Sequence, residues 1–241
     1  MTLFTTRLNV PDAAVRHAGA PPMALAFAAL LAAMLLGGCA LPDKPRRAAL
    51  YDFGPGELAS VSAAPATPAA GALSPALAPL AIDDIGTAGG ALDSQALLYR
   101  LAYADARQLR PYAQARWTMP PAQLFGQRLR ERLGQQRPVF NVREGVALNR
   151  SQNARLPLLR LELQEFSQLF SAPGASVGLI RLQATLLEMT PAGEKLIAQR
   201  TVTLQRPAPS ADAVGGVHAL TAAADAAIEE LVPWLAQAGA R

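Results

Sequence analysis

Three consecutive stretches late in the chain alternate apolar and polar residues with period two. In the first, Leu159, Leu161 and Leu163 alternate with Arg160, Glu162 and Gln164. In the second, Ile180, Leu182, Ala184 and Leu186 alternate with Arg181, Gln183 and Thr185. In the third, Leu196, Ala198, Val202 and Leu204 alternate with Ile197, Gln199, Thr201 and Thr203, and Arg200 interrupts the apolar side. Neighbouring side chains of a strand point to opposite faces, so this pattern predicts an antiparallel sheet with one buried face. Thr190-Pro191-Ala192-Gly193-Glu194 suits the hairpin between the last two strands.

Helical spacing flanks these strands. Pro120-Pro121 opens a helix whose apolar stripe is Leu124, Phe125, Leu129 and Leu133, with Gly134 as its stop. Beyond Pro207, Val217, Leu220, Ala224, Ile228, Leu231 and Leu235 recur at helical steps from a start near Ala211. Pro233 is expected to kink or loosen the last turn of that helix. Nearer the N-terminus, residues 48–53, 80–85 and 95–103 read as strands, separated by Gly54-Pro55-Gly56 and a glycine-rich turn at 86–90. The expected fold class is α+β, a mainly antiparallel sheet with two helices packed on one face.

The first forty residues have a different pattern. No side chain is charged from Ala18 to Leu41, yet the helical part is only residues 23–36, between Pro21-Pro22 and Gly37-Gly38. A short apolar segment behind Arg7 and Arg16, closed by small residues, is the pattern of a secretion signal. Leu36-Gly37-Gly38-Cys39 resembles the bacterial lipobox, in which an aliphatic and two small residues let a signal peptidase reach an acceptor cysteine. The resemblance implies a diacylglycerol thioether on Cys39 and, after cleavage, an N-acyl chain on its amine. Several acyl chains anchor stably where one binds only marginally. The other reading is a signal anchor with an incidental cysteine. Ala40, which stands where an Asp would favour retention in the inner membrane, implies delivery to the outer membrane. The expected organisation is a signal peptide at 1–38, a lipidated tether at 39–47 and one domain at 48–241. An Ala/Pro-rich insertion at 57–79 has few large apolar groups to bury.

Composition adds mainly exclusions. The chain has 22 basic and 18 acidic side chains, an excess that reads as spread along the sequence, without the basic block that nucleic-acid binding usually shows. The one cysteine excludes an intramolecular disulfide and a cysteine-cluster metal site. After the leader the only histidine is His218. Asp83-Asp84 and Glu229-Glu230 are adjacent carboxylates, which diverge on a strand or a helix and are expected to be solvated. Gly89-Gly90 and Gly215-Gly216 lack the lysine and spacing of a phosphate-binding loop. No catalytic residue, metal or cofactor is expected, and the protein reads as non-enzymatic.

The order of features is similar to that of the ABC-type transport auxiliary lipoprotein family, which includes the lipoprotein of the paraquat-inducible transport system. After the lipobox come Leu50-Tyr51-Asp52-Phe53 with Gly54-Pro55, Leu92-Asp93, Leu98-Tyr99-Arg100, and Tyr112 with Arg116-Trp117. The helix from Pro121, then Leu161-Glu162-Leu163 with Glu165-Phe166, and an Ala-rich last helix ending in Trp234-Leu235 complete the resemblance. It implies a fold similar to the N-terminal domain of the periplasmic protein TolB. It also implies work beside an ABC transporter whose substrate-binding subunit carries an MCE domain and moves lipid between the two membranes. The chain would be an outer-membrane lipoprotein with its domain in the periplasm, a partner of the MCE-domain subunit and a candidate homo-oligomer. Arg100, Arg116 and Trp117 are candidate contacts for a partner or a lipid, with surface ion pairs and core packing as their plainer roles. A lipid-binding carrier and an outer-membrane structural or assembly lipoprotein are the alternative functions.

Overall fold

The structure, a computed structural model, describes residues 47–56, 77–152, 156–190 and 193–238. The leader, the lipobox at 36–39, the tether up to 46, residues 57–76 of the insertion and the turn at 191 and 192 lie outside these. The elements are β1 (Ala49–Tyr51), β2 (Leu80–Ile82), β3 (Gly86–Thr87), β4 (Ala96–Leu101), the one-turn helix α1 (Ala102–Asp105), β5 (Ala106–Trp117) and α2 (Pro121–Gly134). They continue with β6 (Val139–Asn141), α3 (Val142–Gln152), β7 (Pro157–Ala172), β8 (Ala175–Thr190), β9 (Gly193–Pro207) and α4 (Ala213–Ala238).

The three alternating stretches are β7, β8 and β9, each longer than its sequence pattern, joined in an antiparallel ladder. β7 organises the rest of the sheet. One edge pairs with β8, while the other takes β2, β3 and β4 in turn, all parallel to it. β6 adds to β2 in parallel, β5 adds to β4 antiparallel, and β1 adds to β5 in parallel. The nine-stranded sheet is therefore mixed, which corrects the expectation of a mainly antiparallel one. Alternation shows that one face of a strand is buried but not which way its neighbours run. β2 and β3 are also too short to carry a pattern of their own.

Two helices do lie together on one face. α2 begins at Pro121, where a missing N–H costs nothing, and buries Leu124, Phe125, Leu129 and Leu133. α4 passes Pro233 without ending and buries Leu220, Ala224, Ile228, Leu231 and Leu235. Its backbone rests on β8 at Gly178, where a Cβ would stand 2.4 Å from the Ala219 carbonyl carbon and 2.5 Å from the Leu220 nitrogen. Arg128 to Asp225 (3.0 Å) and Arg132 to Glu229 (2.5 Å) lace α2 to α4. The main core beneath includes Leu97, Trp117, Leu159, Phe166 and Ile180.

The other face also carries a helix, which the two-helix expectation omitted. Leu158 and Leu187 adjoin main-core Leu159 and Leu186 but bury in a second cluster with Ala81, against Val142 of α3. Asn141 and Glu144 open α3 with reciprocal bonds of 2.9 Å, each side chain accepting from the other's backbone N–H.

Candidate functional site

Strand alternation separates the three candidate contact residues. Trp117 ends β5 facing the core and is fully buried. Phe53 meets its ring edge-on at 5.6 Å, and Phe166 lies 5.7 Å away. The indole N–H has no hydrogen-bond partner, so this side chain works by packing and by tying the segment after β1 to β5 and β7.

Arg100, on β4, reaches the opposite face and grips Glu165 with two bonds of 3.2 and 2.9 Å. Its remaining terminal nitrogen donates to the carbonyls of Ala106 and Arg107 at 3.2 and 3.1 Å. Ser167 completes the Glu165 carboxylate with a bond of 2.6 Å. One guanidinium thus fastens the turn between β4 and β5 to β7, and its donors are spent within the fold. Arg116, beside Trp117, points the other way and is exposed. Its parallel cross-strand neighbour is Leu50, which is 65% exposed. Of the three, Arg116 has the guanidinium open to an outside group.

A partly buried polar cluster, with Gln168 as its buried member, joins β5, β7 and β8 beneath the start of α4. The Tyr112 hydroxyl donates to Gln168 Oε1 at 2.8 Å, and Gln168 Nε2 donates to Ser176 Oγ at 2.8 Å. Burial, with smaller contributions from Tyr99 and Asp212, pushes the Tyr112 phenol up to about 12. Asp212 caps α4 by accepting from the Gly215 N–H at 2.8 Å, and that bond holds its carboxyl below the usual range. These polar groups satisfy one another and serve the packing of α4 on the sheet.

Two surface openings meet at Phe53 and Asp225. The larger, about 790 Å³, lies between α2 and α4 over Phe53, Pro55 and Ile228, crossed by the Arg–acid pairs that lace the helices. Gly56 on its rim combines φ +64° with an Arg128 guanidinium nitrogen 2.0 Å from where a Cβ would stand. The smaller opening, about 420 Å³, runs between β1 and α4, with Leu50 and His218 in its walls.

The adjacent carboxylates keep contact with solvent, as expected, and also form ion pairs. Asp83 pairs with Arg160 at 3.2 Å, Glu229 with Arg132, and Glu230 with Arg200. Each pair of neighbours diverges to different partners, so no joint acid/base site forms from them. No group of three metal-ligating side chains occurs among the described residues, and no helix there is long and apolar enough to cross a membrane. Cys39 and residues 36–38 lie outside the described residues.

Over residues 59–232 the sequence matches the family described as the ABC-type transport auxiliary lipoprotein component. No curated protein matches the sequence. The fold is similar to that of protein XCC0632 from Xanthomonas campestris, of the DUF330 family. The TM-score is 0.56 at 20% identity, covering 68% of this chain and 88% of that one. A weaker likeness, TM-score 0.41 at 9% identity, is to the hypothetical protein CT253 from Chlamydia trachomatis, covering 67% of this chain and 96% of that one.

Proposed function

The chain belongs to the family of ABC-type transport auxiliary lipoprotein components, and on that premise we propose that it is an outer-membrane-anchored periplasmic part of a lipid-transport system. The family match across most of the domain is the observation that carries this reading. A diacylglycerol thioether and an N-acyl chain on Cys39 hold the protein at the membrane, after cleavage behind Leu36-Gly37-Gly38. The domain docks on the MCE-domain subunit of an ABC transporter and acts without catalysis. Anchoring raises the effective concentration of one partner near the other, so a modest interface suffices for capture. Self-association into a homo-oligomer belongs to the same reading.

Packing supports docking over carriage of a lipid inside the domain. The space between sheet and helices is filled by side chains such as Leu97, Leu129, Leu133 and Leu159, each fully buried. The larger openings are grooves on the surface. A carrier would hold an acyl chain in an apolar cavity. In-cell photocrosslinking from exposed β9 positions such as Leu196 and Ile197 tests the proposal. Recovery of an MCE-domain subunit is the expected result; lipid recovered with no protein partner would overturn it in favour of a carrier.

A further inference from the structure

The charge that looks dispersed in the sequence is gathered by the fold. With Arg7, Arg16 and Asp12 of the leader set aside, the chain from Cys39 has 20 basic and 17 acidic side chains, an excess of three. Lys44, Arg46, Arg47, Arg107, Arg110 and Arg116 stand against Asp43, Asp52 and Asp105, also an excess of three. Removing those six and three leaves 14 of each sign, so the rest of the chain is balanced. Of this group Arg47, Arg107, Arg110 and Arg116 lie in the described residues, and β1, which Arg47 shortly precedes, enters the sheet in parallel beside the end of β5.

β1 pairs only with residues 115–117, so most of β5 has an open outer edge among the described residues. Arg107 lies exposed along that edge and Arg116 exposed beside β1, while Arg110 between them is half-buried and donates to Gln108 Oε1 at 2.9 Å. The Arg107 side chain is 95% exposed, with Asp105 at 3.3 Å as its one ion-pair partner. Leu50 projects at the same edge, and Val214, 46% exposed, stands one turn before the α4 residues that share a cleft with Leu50. The far edge of the sheet, β9, differs. There Lys195 pairs with Glu188, and Arg200 pairs with Glu230.

The chain outside the structure ends at this same edge. Arg47 follows Cys39 by eight positions, a reach of at most about 25–30 Å when extended. We propose that the β1/β5 edge is the face the domain lays on an anionic bilayer, with Arg107 and Arg116 against lipid phosphates and Leu50 at headgroup level. Orientation by basic residues near an anionic leaflet adds to the lipid anchor and falls off within a Debye length. The far β9 edge is then left facing the periplasm, roughly 24 Å away at five strand spacings. This inference rests on the Cys39 anchor proposed above.

The test uses the full, natively processed chain in vesicles of phosphatidylethanolamine with phosphatidylglycerol. A thiol-reactive fluorophore is placed at Leu50→Cys or, separately, at Ile197→Cys, and headgroup nitroxide lipids act as quenchers. The label at 50 should be quenched about threefold more than the label at 197, given their separation across the sheet. That preference should shrink in phosphatidylcholine vesicles, in high salt, and in the R107Q/R116Q variant. Equal quenching at the two positions, or stronger quenching at 197, would overturn the proposal. The anchor is read separately, from whether the wild-type chain has a labelable thiol at Cys39. A free thiol there sinks the anchor, whereas quenching confined to position 50 would still support the edge.

Discussion

Arg100 and Arg116 stand on paired strands, carry the same charge and flank similar aromatic residues, yet the fold uses them in opposite ways. Arg100 closes on Glu165 and two backbone carbonyls, and so joins β4, the start of β5 and β7. Arg116 lies outside, beside Leu50, at the edge near which the described residues begin. An arginine's role depends on whether a distant strand supplies a carboxylate and carbonyls at the right depth. For Arg100 that strand is β7, far along the chain; for Arg116 no such carboxylate is supplied among the described residues. The first belongs to the construction of the domain and the second to its surroundings.

The comparison can be broken most forcefully at the core. Trp117→Ala should lower unfolding free energy by about 3–5 kcal/mol, as for other large buried aromatics, read from urea denaturation. A loss below about 1 kcal/mol would mean that the Phe53–Trp117–Phe166 cluster does not hold β1 and β5 in place. Glu165→Gln comes next. It leaves the mostly buried Arg100 guanidinium without its anion and should cost about 2 kcal/mol. If Glu165→Gln and Arg116→Ala cost the same, the contrast between the two arginines fails.

Tyr112, on β5 but turned toward α4, sharpens the boundary between the two regions. Its phenol rises from 10.0 to about 12 in the fold, chiefly by burial, so the folded state favours the neutral form. The stabilisation is complete below pH 10 and is lost as pH rises from there through about 12. Tyr112→Phe should lower stability by about 1 kcal/mol at neutral pH through loss of the bond to Gln168. It should also flatten the alkaline decline, and parallel declines for the two proteins would contradict this. The smallest effect belongs to Arg116→Ala, within about 0.5 kcal/mol of wild type by the same denaturation, as for surface substitutions generally.

What was legible in the sequence follows the same division. The ladder of β7, β8 and β9 declared itself because each strand buries one face, and α2 and α4 because each buries a stripe. Most of β5 did not, since Arg107, Gln108, Ala113 and Gln114 are exposed along an open edge where no apolar alternation is imposed. α3 passed unread although Asn141 and Glu144 have the spacing of a capping box, the local signal that would have found it. Strand direction was hidden because β2 and β3 pair through backbone groups over two or three residues. The basic edge was hidden because Leu50 and Arg116 become neighbours only when β1 joins β5. The ion pairs of Asp83, Glu229 and Glu230 likewise join residues from distant elements, beyond the reach of any local pattern.

The proposed placement of the domain at a membrane depends on one residue, Cys39. Intact-mass spectrometry of the protein isolated from its native membranes tests that claim most directly. The account predicts a chain beginning at Cys39, carrying a diacylglycerol thioether and an N-acyl group. An uncleaved chain starting at Met1 with an unmodified Cys39 thiol would contradict it.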